Sequence, residues 1–107
     1  MAYNNDAPFR VRKHIQLING VNIDTLITDA TLTVASSTFQ ILNGGAADYD
    51  VNLPAEVDGI HFWITNAGAT NNLVVKDLTP TTIATVAPGE GALFVCDGAE
   101  WKLVIKA

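Results

Sequence analysis

The chain has 107 residues, of which 49% are hydrophobic and 16% are charged, and its formal net charge is −5. This length suits one domain with its own core, and the lack of any run of eighteen apolar residues excludes a membrane-spanning helix. The single cysteine excludes an internal disulfide, and no Cys and His spacing resembles a zinc site. We therefore expect one globular domain without a cofactor.

The first stretch, MAYNNDAPFRVRKH, is basic although the chain as a whole is acidic. Residues 1–14 hold three basic side chains against one acidic one, a net charge of +2, which leaves −7 for residues 15–107. We interpret residues 1–14 as a flexible, extended arm that is able to dock on an acidic protein surface. The stretch has no signal-peptide pattern, so we expect the protein to stay in the cytoplasm of the cell that makes it. The acidic body argues against nucleic-acid binding.

Residues 15–107 predict an all-β domain. Short runs rich in Val, Ile and Thr recur between Gly, Pro, Asn and Asp, and helical periodicity is hard to find. We predict strands at residues 16–18, 22–28, 30–42, 49–53, 60–65, 73–77, 82–86, 92–96 and 101–106. Their spacing is typical of a single antiparallel β-sandwich or barrel-like domain, which is the fold we expect.

The closing stretch, PGEGALFVCDGAEWKLVIKA, predicts a β-hairpin that turns at Asp97-Gly98, because glycine accepts the positive φ of a tight turn. The predicted cross-strand pairs are Cys96 with Trp101, Val95 with Lys102, Phe94 with Leu103, and Ala92 with Ile105. Cross-strand partners share a face. One face is then a core surface formed by Ala92, Phe94, Cys96, Trp101, Leu103 and Ile105.

The other face of this hairpin is unusually apolar. It carries Leu93, Val95 and Val104 beside two lysines, whereas a solvated face is normally more polar. We expect a second sheet or another subunit to cover it. In the stretch IHFWIT, Trp63 and His61 share the face opposite the predicted core, which suits either a subunit interface or stacking on a sugar.

Catalytic and metal-binding patterns are weak. Neither histidine has a triad pattern around it, and Glu90 and Asp97 lie at opposite ends of one predicted strand, roughly 20 Å apart. A cysteine packed in the core is a poor nucleophile, so we expect a protein that is not an enzyme. Four acids within DYDVNLPAEVDG leave two readings open, a solvated strand with turns or a bound calcium ion. These acids are Asp48, Asp50, Glu56 and Asp58.

Residues 31–107 resemble a pattern found in tailed-bacteriophage virion proteins. The pattern has a Val-x-Leu-Pro strand end, a strand ending in Asn-x-Gly, a Leu-x-Val-Lys-Asp strand, a Thr-Ile strand, Pro-Gly-Glu, Phe-x-x-Asp-Gly and Trp. The matching residues are 51–54, 59–68, 73–77, 82–83, 88–90, 94–98 and Trp101. Such β-domains occur in capsid decoration (cement) proteins, head fibres and tail fibres, often as trimers.

The resemblance implies a capsid decoration protein that binds the outer head surface of a virion and stabilises the capsid by non-covalent contacts. Its expected partners are the major capsid protein and further copies of itself in a trimer, with no membrane or nucleic acid. The arm residues assigned to capsid docking are Tyr3, Phe9, Arg10, Arg12 and Lys13. The residues assigned to the subunit interface are Leu93, Val95, Val104 and Trp63. The alternative is a head-fibre or tail-fibre receptor-binding domain that recognises host glycan.

Overall fold

The structure, a computed structural model, describes residues 20–107. The predicted arm (residues 1–14) and the predicted strand at residues 16–18 lie outside these residues. The described part consists of nine strands: β1 (Val21–Thr25), β2 (Ala30–Thr31), β3 (Phe39–Asn43), β4 (Tyr49–Asn52), β5 (His61–Asn66), β6 (Leu73–Lys76), β7 (Thr82–Val86), β8 (Gly91–Cys96) and β9 (Trp101–Lys106). This composition confirms the all-β class. Residues 20–107 include no helix with the length and apolar character needed to cross a membrane.

The strands form two sheets around one core. Sheet A has five strands in the order β1-β3-β5-β8-β9, and sheet B has four in the order β2-β4-β6-β7. Both sheets contribute to a single cluster of buried apolar side chains. The buried members are Leu26, Leu32, Leu42, Val51, Leu53, Phe62, Ile64, Leu73, Val75, Val86, Ala92, Phe94, Cys96 and Trp101.

The expectation of an antiparallel domain was wrong for the pairs that the first six strands make with one another, so both sheets are mixed. Strands β1, β3 and β5 pair in parallel in sheet A, and β2, β4 and β6 pair in parallel in sheet B. From β1 to β6 the chain alternates between the two sheets. Each of these strands therefore pairs with the strand two places along the chain, which runs in the same direction. The antiparallel pairs among residues 20–107 are β5 with β8, β6 with β7, and β8 with β9. A hairpin joins neighbours within one sheet, whereas these early connections change sheet.

The long strand predicted at residues 30–42 is two strands in different sheets. A turn separates them, in which the Ser36 hydroxyl oxygen accepts from the Thr33 N–H at 2.8 Å. The Thr33 hydroxyl oxygen in turn accepts from the Ala35 N–H at 3.2 Å. Short hydroxyl side chains compete with strand pairing in this way, and β-propensity alone overlooks the competition.

The closing hairpin has the predicted turn and most of the predicted register. Gly98 has a φ of +92°, and the Asp97 carboxylate accepts from the N–H groups of Ala99 and Glu100. Three predicted pairs are confirmed, from Cys96 with Trp101 to Phe94 with Leu103.

The fourth predicted pair of the hairpin was wrong. A bulge in β9 leaves Val104 without a partner, so Ile105 lies opposite Leu93 and Lys106 opposite Ala92. The extra residue moves Ile105 off the core face and onto the outer face. Its side chain is 54% exposed there. Leu103 is also exposed, so the core face of the hairpin is smaller than predicted. It consists of Ala92, Phe94, Cys96 and Trp101.

The turn after β6 makes stability depend on pH. The Asp77 carboxylate accepts from the Thr79 hydroxyl and the Thr81 N–H, and these bonds lower the pKa of Asp77 from its ordinary 3.8. A carboxyl with a lowered folded pKa stabilises the protein above its unfolded pKa, and this contribution is lost as pH falls through the folded value. We expect the urea midpoint to fall less steeply in Asp77→Asn than in the native protein when pH drops from 5 to 2. Identical slopes would contradict this account.

Candidate binding face

One straight row of apolar side chains crosses all five strands of sheet A on its outer face. The register pairs Val21 with Phe39, Phe39 with Trp63, Trp63 with Leu93, and Leu93 with Ile105. We call these five residues the apolar row. Their neighbours in β3, β5 and β8 are buried, among them Gln40, Phe62 and Phe94, so strand alternation places the row on the face away from the core.

The row is partly open to solvent along its length. Trp63 is 37% exposed, Phe39 38%, Val21 53% and Ile105 54%, whereas Leu93 is intermediate. Monomeric proteins seldom leave several large apolar side chains contiguous on one surface. Folding therefore leaves apolar surface on this face that an interface would remove from water.

Two aromatic rings form the centre of the row. The rings of Phe39 and Trp63 have centroids 6.3 Å apart and planes that differ by 4°. The two ring planes are nearly parallel, so the pair presents one continuous aromatic surface at the centre of the row. Preorganised aromatic side chains of this kind often dominate binding energy, because little side-chain entropy is lost when a partner covers them.

On the outer face of sheet A, the polar side chains lie mainly on one side of the apolar row. His61 lies opposite Val95, and Val95 lies opposite Lys102, in a row two residues away. The next row in the other direction contains Ile23, Ile41 and Thr65. Lys102 pairs with the Glu100 carboxylate, and this partner raises the pKa of the exposed Lys102 amine. The centre of the face is therefore uncharged.

The structure brings together most of the residues predicted for a subunit interface. Trp63 and Leu93 are direct partners in the apolar row, and Val95 follows Leu93 on the same face. Val104 is 57% exposed, but it lies at the bulge and has no partner in the register. The residues predicted for capsid docking, Tyr3 to Lys13, lie outside residues 20–107.

Phe39 and Ile105 were missed as members of this face. The sequence TFQIL suggests that Phe39 and Ile41 point inward and Gln40 outward, and the structure has the reverse. The Gln40 side chain is 1% exposed because its amide oxygen accepts from Asn22 at 2.8 Å and its amide nitrogen donates to the Ser37 carbonyl at 2.7 Å. These bonds compensate for the burial of the amide, and the alternation of β3 then turns Phe39 outward.

The four acids considered for a cation are spread apart. The Asp50 carboxylate pairs with Lys76 at 3.0 Å, and the Asp48 carboxylate accepts from the Asn72 N–H at 2.7 Å. Among residues 20–107, no group of three or more His, Cys, Asp or Glu side chains is arranged to hold a metal ion.

No protein-family model and no curated protein matches the sequence.

Proposed function

We propose that the protein is a bacteriophage capsid decoration protein, which binds the outer surface of the head and holds capsid subunits together. The observation that carries the proposal is the apolar row on sheet A, with its stacked Phe39 and Trp63. The phage-like pattern of residues 31–107 supports it independently. In this proposal the face buries against a neighbouring copy, and the protein acts at the capsid surface of the virion after synthesis in the host cytoplasm.

The mechanism is physical and requires no chemical step. A standard protein interface buries roughly 1,600 Å², and three linked subunits present three attachment sites at once. Simultaneous attachment lowers the rate at which the whole assembly leaves the capsid. A trimer joined through the apolar row would therefore bind the major capsid protein more tightly than one subunit does, and it would oppose separation of the capsid subunits under internal pressure.

We expect charges in the apolar row to prevent self-association and to weaken capsid binding. The double substitution Phe39→Glu and Trp63→Glu places two carboxylates in a surface that the proposal buries, where unpaired charges are strongly unfavourable. The expected result is a monomeric mass by light scattering and a capsid affinity reduced by roughly 100-fold in cosedimentation with undecorated capsids. Native mass and occupancy in this variant would overturn the assignment of the face.

The matched control places the same two charges elsewhere. Val57 and Leu78 are 48% and 58% exposed and lie in loops outside the apolar row. The Val57→Glu and Leu78→Glu double variant should keep the native mass and capsid occupancy.

In the same assay, deletion of residues 2–13 tests the arm, and we expect weaker capsid binding with an unchanged number of subunits per assembly. Full occupancy after this deletion would remove the arm from the proposal.

One observation favours the alternative, a receptor-binding domain of a head or tail fibre. The flat pair formed by Phe39 and Trp63 is also a suitable surface for stacking on a sugar ring. This function predicts no affinity for capsids, together with quenching of Trp63 fluorescence by host surface glycans. Trp101, the second tryptophan, is 3% exposed and would contribute little to the change.

A further inference from the structure

His61 places a titratable side chain on the outer face of sheet A, two residues before Trp63 in β5. Burial alternates along β5, so both side chains are exposed on the face opposite to buried Phe62 and Ile64. Two residues of a strand span about 7 Å, so His61 lies beside the centre of the apolar row. It is the one histidine among residues 20–107. Histidine is the side chain whose charge ordinarily changes between pH 5 and 8.

The contact between His61 and Gly59 identifies the ring atom that gains a proton. His61 Nδ1 lies 3.1 Å from the Gly59 carbonyl oxygen. A carbonyl oxygen only accepts, so Nδ1 carries the proton of the neutral ring and donates it to this bond. Protonation therefore adds a hydrogen to Nε2 and a full positive charge to the ring.

The nearest charged group across the sheet from His61 is a cation. Its direct partner on β8 is Val95, and the next residue in that row is Lys102 of β9, which pairs with Glu100. Adjacent strands lie about 4.8 Å apart, so the His61 and Lys102 backbones are about 10 Å apart. A second positive charge at His61 would therefore share one part of the face with Lys102.

The other surroundings of His61 provide no paired carboxylate. A cavity of about 170 Å³ beside it has no charged side chain in its lining, which includes Ser36 and Thr38 from the turn before β3. The closest carboxylates along the neighbouring loops are Asp58, before β5, and Asp97, after β8. Within residues 20–107, neither forms an ion pair with the imidazole. A charge on His61 is therefore stabilised mainly by water.

The outer face of sheet A suits a second copy of the chain as its partner. Residues 15–107 carry a net charge of −7, so most surfaces of two copies repel each other. The apolar row contains no carboxylate, and neither does the adjacent row of Ile23, Ile41 and Thr65. Two copies can therefore meet at this face without burying an unpaired acid, which would be costly.

We propose that protonation of His61 separates copies of the protein that associate through this face. The inference rests on the proposed function, because it takes the apolar row as the interface between copies. A standard interface buries about 800 Å² on each partner, equivalent to a disc with a radius of about 16 Å. An interface centred on Trp63 therefore covers His61. Covering the neutral ring costs little, whereas covering the charged ring removes it from water near Lys102.

Association is therefore strongest where His61 is neutral. Burial disfavours the charged ring, so an assembled subunit holds the Nε2 proton more weakly than a free subunit does. Association then releases protons at acidic pH, and by linkage it weakens as pH falls through the range in which the free subunit gains the proton. Because each subunit contributes one His61, the effect increases with the number of subunits in the assembly.

Sedimentation equilibrium of the full chain at pH 7.5 and 5.5 tests this role of His61. The native protein should associate at pH 7.5, and its dissociation constant should rise at least about tenfold at pH 5.5, where most carboxylates remain ionised. His61→Gln stays neutral and should associate equally at both pH values. His61→Lys stays charged and should associate weakly at both. His14→Gln, the control, removes the other histidine and should keep the native pH dependence.

Two groups of outcomes separate this inference from the proposed interface. Equal association of the native protein at both pH values would overturn the role of His61 and leave the apolar row as the interface. A pH dependence that persists in His61→Gln, or disappears in His14→Gln, would do the same. Association at pH 7.5 that survives Phe39→Glu and Trp63→Glu would overturn the interface and this inference with it. So would a native protein that is monomeric at both pH values.

Circular dichroism at both pH values accompanies these measurements. The native protein and His61→Gln should have the same spectrum at pH 7.5 and 5.5, because the side chain of His61 is exposed and outside the core. Loss of the β-sheet spectrum at pH 5.5 in the native protein would attribute the dissociation to unfolding and would contradict the proposed switch.

Discussion

Replacing Phe94 with alanine is expected to lower the free energy of unfolding by about 3–5 kcal/mol. The Phe94 side chain is fully buried on the inner face of β8, directly opposite Phe62 of β5. Phe94 belongs to the buried cluster to which both sheets contribute, and neighbouring side chains in a close-packed core fill such a space only partly. The cost therefore includes lost burial and a remaining cavity. Urea denaturation at a fixed protein concentration measures it.

The control for this substitution is Ile27→Ala. Ile27 is 87% exposed, and its truncation should change the free energy of unfolding by less than about 0.5 kcal/mol. A loss below 1 kcal/mol in Phe94→Ala would contradict the assignment of Phe94 to a tightly packed core. The same variant bears on the closing hairpin, because Phe94 also faces Leu103 of β9.

Replacing Asn66 with alanine should cost about 2–4 kcal/mol although the side chain is polar. The Asn66 side chain is 1% exposed, and its amide nitrogen donates to the carbonyls of Asn71 at 2.8 Å and Val86 at 2.9 Å. Its amide oxygen accepts from the Gly68 N–H at 2.9 Å. Alanine removes all three bonds, and the bond to the Val86 carbonyl is buried, where water does not readily replace it. Thermal and urea unfolding of the variant measure the loss.

The matched control for Asn66→Ala is Asn72→Ala. The side chain of Asn72 makes none of the hydrogen bonds described for residues 20–107, whereas its backbone N–H donates to Asp48. Alanine keeps that backbone bond, so Asn72→Ala should change stability by less than about 0.5 kcal/mol. Equal losses in the two variants would show that the contacts of Asn66 are not the source of the effect.

The all-β class and the turn at Asp97-Gly98 were predictable because they depend on local chemistry. Runs of β-branched residues between Gly, Asn and Asp predict strands, and Asp-Gly accepts the backbone angles of a turn. The positions of β4 to β9 were accordingly close to the predicted ones. The parallel pairing was not predictable, because it depends on which sheet each connection enters. Nothing in a strand sequence reports that choice.

The candidate face was predictable only in part. Trp63 and Leu93 were identified because they alternate with buried neighbours within their own strands. Phe39 was missed because hydrogen bonds hold the Gln40 side chain in the interior. The apolar residues of β3 on either side of Gln40 therefore lie on the outer face, opposite to what the sequence pattern suggests. Ile105 was missed because the bulge at Val104 shifts the end of β9 by one residue. Both errors come from contacts between strands, which a pattern within one strand does not contain.

The sequence by itself determined the strand-forming segments, the tight turns and the residues with a strong preference for the interior. The tertiary structure decided the order of the strands in the sheets, their parallel directions and the alignment of five apolar side chains in one row. Local preferences act on neighbours along the chain and survive in any fold. The row exists only because β1, β3, β5, β8 and β9 align in one register, and that register is set by the shared core beneath them.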